Sequence, residues 1–230
     1  MKKNNFKILA LLFFAAFSFS SCSSDSSGDS NGTTTGDYFP MAISNKWDYT
    51  DGSTPSEVNL IGTTSFGGAT YYEMTDTQNP FSNQNWMVKK GASYYQKTGI
   101  TTQVESGTTI TIQAYEMKIL QDDLAVGETW HGSASPKVNY SGAAGTGSFN
   151  ANINYTGTVT AKDVSETLGS VTYNNIIKVE LTAVVNANGQ ISNITGEYWF
   201  AKDIGIVYDH ETSTADNSNV TRYLTSYTLH

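Results

Sequence analysis

The chain has 230 residues, with 13 basic and 21 acidic side chains and a formal net charge of −8. Only 38% of the residues are hydrophobic and 15% are charged, whereas 30 are Thr, 20 are Gly and 14 are Tyr. This composition favours an all-β domain with many turns, and it argues against a helical bundle, a nucleic-acid-binding protein and a multi-span membrane protein.

The first 21 residues have the features of a targeting segment. Lysines form a positive N-terminal region, and Ile8–Phe17 is an apolar run of ten residues. This run is shorter than the roughly 20 residues that a membrane-spanning helix needs. The following Phe19-Ser20-Ser21-Cys22 resembles a bacterial lipobox, with Phe19 at the position that usually carries an aliphatic residue. We therefore expect residues 1–21 to be a lipoprotein signal peptide and Cys22 to carry a lipid that attaches the chain to the outer membrane.

A polar segment follows the predicted lipidation site. Residues 23–36 are rich in Ser, Gly, Asp and Thr and cannot bury apolar surface, so residues 22–36 are expected to form a flexible tether. Removal of the three signal-peptide lysines changes the net charge to −8 − 3 = −11. Such a charge disfavours binding to phosphate backbones and anionic head groups. Whether the anchored protein faces the periplasm or the cell surface stays open.

Residues 37–230 show the period-2 alternation of β-strands. The clearest strand is 149–161, in which apolar residues alternate with Asn and Thr, followed by 176–184 and 190–200. Further strands are predicted at 46–50, 56–66, 69–75, 85–90, 93–98, 108–119, 204–211 and 220–229. The alternation changes phase inside 108–119, which predicts a β-bulge near Ala114-Tyr115.

The predicted fold class is all-β, with no substantial helix after the signal peptide. Turn signals at Gly67-Gly68, Gly91 and Asn188-Gly189 join neighbouring strands and imply antiparallel pairing. About ten strands in sequence favour a strongly curved antiparallel meander sheet, either a half-barrel or a barrel-like form. A β-sandwich is the alternative.

One short pattern occurs twice in the predicted domain. Met41–Trp47 and Leu124–Trp130 share the order apolar, Ala, β-branched, small, polar, polar, Trp. The pattern predicts an apolar plug and a tight turn, followed by a strand that opens with a Trp packed at the rim of the sheet. It divides the single domain into possible halves, 38–122 and 123–230, although a shared turn motif explains seven residues more simply than a duplication.

Several of these motifs resemble those of small lipid-anchored β-domain lipoproteins of the Bacteroidota. Tyr38-Phe39-Pro40 with Asn45–Tyr49 is similar to their YFPL…GN.W.Y opening, and Tyr198–Val207 is similar to their YW.A..VGLV ending. Met41 and Ser44 depart from the pattern, which has Leu and Gly at these positions. The resemblance implies an antiparallel β domain on a lipid anchor and implies no activity.

No catalytic constellation emerges from the sequence. There is no Gly-x-Ser-x-Gly motif, and the single cysteine is the predicted lipid acceptor. Asp209-His210-Glu211 is the densest titratable cluster, but on a strand His210 would point away from the two carboxylates. That arrangement suits one metal ion poorly, so we interpret it as a strand end that enters a polar loop. The sequence predicts a protein that is not an enzyme and has no metal or cofactor.

Aromatic residues are the remaining candidates for ligand contact. Most Tyr and Trp side chains of a curved sheet fill its core. Trp86 follows a polar segment and Trp199 shares a strand face with Glu197, so these two are predicted to be the most exposed. The candidate contact residues are Trp86, Trp199, Tyr198 and Trp130.

Three functional interpretations follow from the sequence. The first is a non-enzymatic envelope protein that binds a hydrophobic or other small ligand in or on the curved sheet. The second is a surface adhesin or glycan-binding module, which requires at least two exposed, coplanar aromatic rings. The third is an accessory subunit of an envelope complex.

Overall fold

The computed structural model describes residues 32–77, 84–143 and 145–230. The predicted signal peptide and Cys22 lie outside the described residues. The all-β, antiparallel fold class is confirmed, because every described element is a strand and every pairing is antiparallel. The strands are β1 (Lys46–Thr50), β2 (Pro55–Phe66), β3 (Ala69–Asp76), β4 (Asn85–Lys90), β5 (Ser93–Thr98), β6 (Thr101–Glu105), β7 (Thr108–Ile112), β8 (Tyr115–Gln121), β9 (Thr129–Ala134), β10 (Lys137–Gly142), β11 (Gly145–Leu168), β12 (Val171–Ala187), β13 (Gln190–Ala201), β14 (Gly205–Ser213) and β15 (Asn219–Thr228).

The fifteen strands form one open sheet with the order β6-β7-β10-β11-β12-β13-β14-β15-β1-β2-β3-β4-β5-β8, and β9 pairs separately with β11. Two six-stranded meanders can be traced within this order. The first comprises β1–β5 and β8, and the second comprises β9 and β11–β15. Pairing between β15 and β1 joins the two meanders. Strands β6, β7 and β10 form a small extension beside the first part of β11.

The strands with clear alternation occur where the sequence predicts them. In β11 the apolar side chains face the core and the Asn and Thr side chains face outward, as the burial pattern shows. Asn188 and Gly189 both have positive φ, which is the conformation that a tight hairpin between β12 and β13 requires. The predicted bulge in 108–119 is wrong, because β7 ends at Ile112 and β8 begins at Tyr115. These two strands pair with different partners, β10 and β5.

The two copies of the repeated sequence pattern adopt the same hydrogen-bonded turn. Asn45 N donates to Ala42 O in the first copy, and Glu128 N donates to Ala125 O in the second. The residue before each of these donors has positive φ: 76° at Ser44 and 86° at Gly127. A Trp follows two residues after each donor and is buried at the start of β1 or β9. The pattern therefore marks the equivalent first strand of each meander.

The gap between β8 and β9, called the seam below, is bridged by side chains. Trp130 of β9 donates from Nε1 to Lys118 O at 3.2 Å, and Tyr155 of β11 accepts from Lys118 N at 3.0 Å. The Trp130 ring lies over Gly157 of β11, and the Tyr155 ring lies over Gly132 of β9. A Cβ atom at either glycine would overlap the ring. Small residues at these two positions therefore allow the aromatic side chains to reach β8.

The apolar core fills the space that the two meanders enclose. Its largest fully buried side chains include Trp47, Tyr38, Tyr94, Phe200 and Leu60. Trp47 donates from Nε1 to Ile204 O at 2.6 Å, so its polar atom is satisfied despite complete burial. A separate small cluster of Tyr71, Trp86 and Val88 is also buried.

We predict that Gly157→Ala destabilises the domain, because the new methyl group would displace Trp130 from the seam. Overpacking of this kind costs about 1–3 kcal/mol. Gly62→Ala is the matched control, since Gly62 also lies in a strand and no atom lies within 4 Å of its added Cβ. Urea unfolding of both variants measures the difference, and equal midpoints would contradict a structural role for the seam.

Candidate functional site

Three charged side chains meet inside the sheet and form what we call the buried charge cluster. Arg222 of β15 donates from Nε to both carboxylate oxygens of Asp209 on β14, at 3.0 and 3.1 Å. Its Nη1 donates to Asp76 Oδ2 on β3 at 2.9 Å. Burial alone would lower the pKa of Arg222, but the charges of Asp209 and Asp76 raise it. Arg222 is therefore held as a cation between two carboxylates, one from each meander.

Glu211 lies next to this cluster on β14. Its Oε2 accepts a hydrogen bond from the Tyr198 hydroxyl at 3.1 Å, and only 5% of the residue is exposed. Burial raises the pKa of the Glu211 carboxyl to about 8. The hydrogen bond from Tyr198 lowers this pKa, and the negative charge of Asp209 raises it. Glu211 is thus mostly protonated at neutral pH, in the apolar interior that surrounds it.

The segment Asp209–Glu211 differs from its sequence interpretation. It lies in the middle of β14 rather than at a strand end that enters a loop. Asp209 and Glu211 are buried and His210 faces outward, so the predicted alternation is confirmed. No group of three or more His, Cys, Asp or Glu side chains within the described ranges has a geometry that could hold a metal ion.

The buried charge cluster borders a small cavity. Its volume is about 50 Å³, and its apolar walls include Phe39, Val58, Met74, Met87, Ile119 and Phe200. A cavity that binds benzene has a volume of about 150 Å³, whereas a buried water needs roughly 10–15 Å³. The cavity therefore has room for a few water molecules and is too small for an acyl chain.

A row of three aromatic side chains lies on the outer face of the sheet, on neighbouring strands. Trp199 of β13 is 4.4 Å from Tyr208 of β14 between ring centroids, and Tyr208 is 5.5 Å from Tyr223 of β15. We call these residues the aromatic row. Trp199 and Tyr208 are partly exposed, and Tyr223 at the end of the row is 38% exposed. The planes tilt by 36° and 56°, so the rings are not coplanar as a glycan site was predicted to require.

Polar groups surround the aromatic row. Trp199 Nε1 donates to Glu197 Oε1 at 2.6 Å, and Lys178 Nζ lies 3.7 Å from the centroid of the Trp199 ring. Glu197 on β13 and His210 on β14 occupy directly opposite positions in the strand register. Further along the same face, a line of hydroxyl side chains crosses four paired strands: Thr156, Thr182, Thr195 and Thr212. The outer face therefore combines partly exposed rings with many neutral hydrogen-bonding groups.

The four predicted contact residues differ in exposure and lie in different parts of the structure. Trp199 is partly exposed beside Glu197, as predicted. Trp86 is only 6% exposed, so the expectation that it is exposed is wrong; it packs under Phe66, whose ring centroid is 5.1 Å away. Trp130 is buried in the seam, and Tyr198 directs its hydroxyl inward to Glu211.

Sequence reasoning missed Tyr208 and Tyr223 as neighbours of Trp199. Both lie on strands that the sequence predicts, but their proximity depends on the pairing register between β13, β14 and β15. It also missed Arg222 as the partner of Asp209, although these two residues occupy directly paired positions. An inward-facing Arg and Asp on consecutive predicted strands is the signal that could have indicated this pair.

Comparisons with known proteins show the fold alone. No family model matches the chain, and no curated protein matches it significantly. A crystal structure of a protein provisionally described as a lipoprotein from Parabacteroides distasonis has a TM-score of 0.52 and 10% identity, covering 84% of this chain and 99% of its own. A provisionally described exported protein with a YmcC-like fold from Bacteroides fragilis covers 84% and 100%, at 10% identity and a TM-score of 0.43.

The described chain contains no helix that is long and apolar enough to cross a membrane.

We predict that Glu211→Gln changes the pH dependence of stability. The folded pKa of about 8 lies above the ordinary value of 4.5, so the folded state retains a proton that the unfolded state releases. Wild-type stability should decline relative to the variant between these two values, by up to about 1.4 kcal/mol per pH unit. Urea unfolding from pH 4 to 9 measures this difference.

Glu180→Gln is the exposed control, because Glu180 lies on the outer face of β12 and its replacement should hardly change stability. Parallel stability curves for wild type and Glu211→Gln would contradict the raised pKa of Glu211.

Proposed function

We propose that the chain is a non-enzymatic, lipid-anchored envelope protein that binds a neutral carbohydrate on its outer face. The aromatic row is the observation that carries this proposal, because it places three rings side by side on neighbouring strands. Tyr and Trp present an apolar ring with a polar edge. Sugar rings have matching chemistry, since their C–H faces are apolar and hydroxyl groups surround them.

The groups beside the aromatic row suit such a ligand. Glu197, His210 and Thr195 can accept or donate hydrogen bonds to sugar hydroxyls, and all three lie on the same outer face as Trp199. The net charge of the anchored chain, −8 − 3 = −11, disfavours acidic glycans. The ring planes tilt by 36° and 56°, so the row offers adjacent ring faces rather than the coplanar platform that the sequence-based hypothesis required, which favours a twisted sugar chain over a flat one.

The cavity beside the buried charge cluster supports ligand binding less well than the outer face does. Its volume of about 50 Å³ is too small for an acyl chain, and the charged groups at its border already bond to one another. The lipid at Cys22 and the outer-membrane location belong to the same proposal, and they are supported by the lipobox-like sequence and by the fold shared with a protein described as a lipoprotein.

We predict that Tyr223→Ala weakens carbohydrate binding. Removal of an exposed aromatic anchor should reduce affinity by at least about tenfold, which corresponds to about 1.4 kcal/mol. The lipid-free domain, residues 23–230, is first screened on an array of neutral and acidic glycans. Titration calorimetry with the best-bound neutral oligosaccharide then compares the variant with wild type.

Tyr227→Ala is the matched control, because Tyr227 lies on the same strand, is 44% exposed and does not belong to the aromatic row. Its affinity should equal that of wild type. Absence of binding across the array, or equal losses in the two variants, would contradict the proposal. A co-purified apolar molecule of lipid size in native mass spectrometry would favour an interior site instead.

A further inference from the structure

The chain that precedes the first strand is tied to one end of the domain, which we call the anchor end. Thr34 Oγ1 and Thr35 N donate to the two carboxylate oxygens of Asp122, at 2.6 and 2.8 Å. Asp122 follows β8 and is completely buried. The segment predicted to be a flexible tether is therefore fixed to the domain from Thr34 onward.

Two further contacts hold this segment to other strands. Gly36 O accepts a hydrogen bond from the Tyr94 hydroxyl of β5 at 3.0 Å. Lys202, in the turn between β13 and β14, donates from Nζ to Thr35 O at 2.9 Å. The segment thus contacts both meanders, and its direction of approach to the domain is set by both.

Exposed apolar side chains concentrate at the same end. Ten large hydrophobic residues are exposed within the described ranges, and five of them lie near the anchor end. Those five are Ile43, Ile61, Val126, Val171 and Tyr227, with exposures between 44% and 58%. Ser44 N donates to Leu60 O, which brings Ile43 and Ile61 together, and Lys162 Nζ donates to Leu124 O close to Val126. Tyr227 pairs with Trp47 at the start of β1, and Val171 lies in the hairpin that extends beyond the paired residues Ile176 and Ala201.

The spacing to Cys22 limits how far this end can lie from a lipid attached there. Thr34 follows Cys22 by 34 − 22 = 12 residues. Twelve residues span about 40 Å at full extension, and a flexible polar chain of this length has an r.m.s. reach of roughly 20 Å. A lipid on Cys22 therefore leaves enough chain for the anchor end to lie against the bilayer.

We infer that the anchor end rests against the bilayer, with Ile43, Ile61, Val126, Val171 and Tyr227 contacting the interface between head groups and acyl chains. This inference rests on the lipid anchor of the proposed function and adds a defined orientation to it. Partly exposed aliphatic and aromatic side chains are suited to such an interface. The acidic net charge makes a bilayer with zwitterionic head groups the matching surface.

Single-cysteine labelling tests this orientation. Cys22 is the only cysteine of the chain, and acylation consumes its thiol, so an introduced cysteine takes the label alone. Ile43→Cys and Val126→Cys probe the anchor end. Ile191→Cys and Val104→Cys are controls of similar or greater exposure, at 65% and 73%, on other parts of the domain. The full lipidated chains carry an environment-sensitive fluorophore and are reconstituted into phosphatidylcholine vesicles with plain or brominated acyl chains.

Labels at residues 43 and 126 should lose emission in the brominated vesicles, while labels at residues 191 and 104 should keep theirs. Equal emission changes at all four sites, in protein that floats with the vesicles, would overturn the orientation and leave the anchor intact. Protein that fails to float would overturn the anchor itself and the orientation with it. Two probes at each end keep the comparison valid if one variant folds poorly.

Discussion

The closure of the seam by Trp130 and Tyr155 is the interaction on which the arrangement of the two meanders depends. Strand pairing joins the meanders directly at β15 and β1, whereas β8 and β9 do not pair and are bridged by side chains that reach the backbone of Lys118. This contact requires Gly132 and Gly157, since any side chain there would occupy the space of an aromatic ring. Two glycines and two aromatic residues thus bring the first strand of one meander beside the last strand of the other.

With the seam closed, charged groups inside the sheet are shielded from water. Arg222 bonds to Asp209 within its own meander and to Asp76 in the other, so it connects the two across the interior. Such a cluster adds little net stability, because desolvation of the charges offsets their attraction, but loss of one partner would leave an unpaired buried charge. The cluster therefore disfavours any register of β3, β14 and β15 that separates these three side chains.

Alternation in the sequence predicts most of the strands, because one face of each is apolar and the other is Asn, Thr or charged. Strands β6 and β10 escape this prediction, since short segments such as KVNYSG carry too few apolar residues to show a period, whereas β9 is indicated only by the repeated turn-and-Trp pattern. The buried charge cluster was not predicted although its residues fit the alternation. Asp209 and Glu211 occupy inward-facing positions, but they are acidic residues where apolar ones are expected. The aromatic row could not be predicted, because it depends on register across three strands.

Trp86 was predicted to be exposed because it follows a polar segment of the sequence. It is buried in the structure, because its ring packs against Phe66.

The two proposals together give the outer face a direction relative to the membrane. Strands lead from the anchor end, where Asp122 fixes Thr34 and Thr35, toward the hairpin at Asn188-Gly189. The aromatic row crosses these strands, because Trp199, Tyr208 and Tyr223 occupy paired positions on β13, β14 and β15. A carbohydrate chain that follows the row would then lie more nearly parallel to the bilayer than perpendicular to it. The line of threonines crosses β11–β14 and shares β13 and β14 with the row, where it lies further from the anchor end, so it would contact a second stretch of polymer rather than the same one.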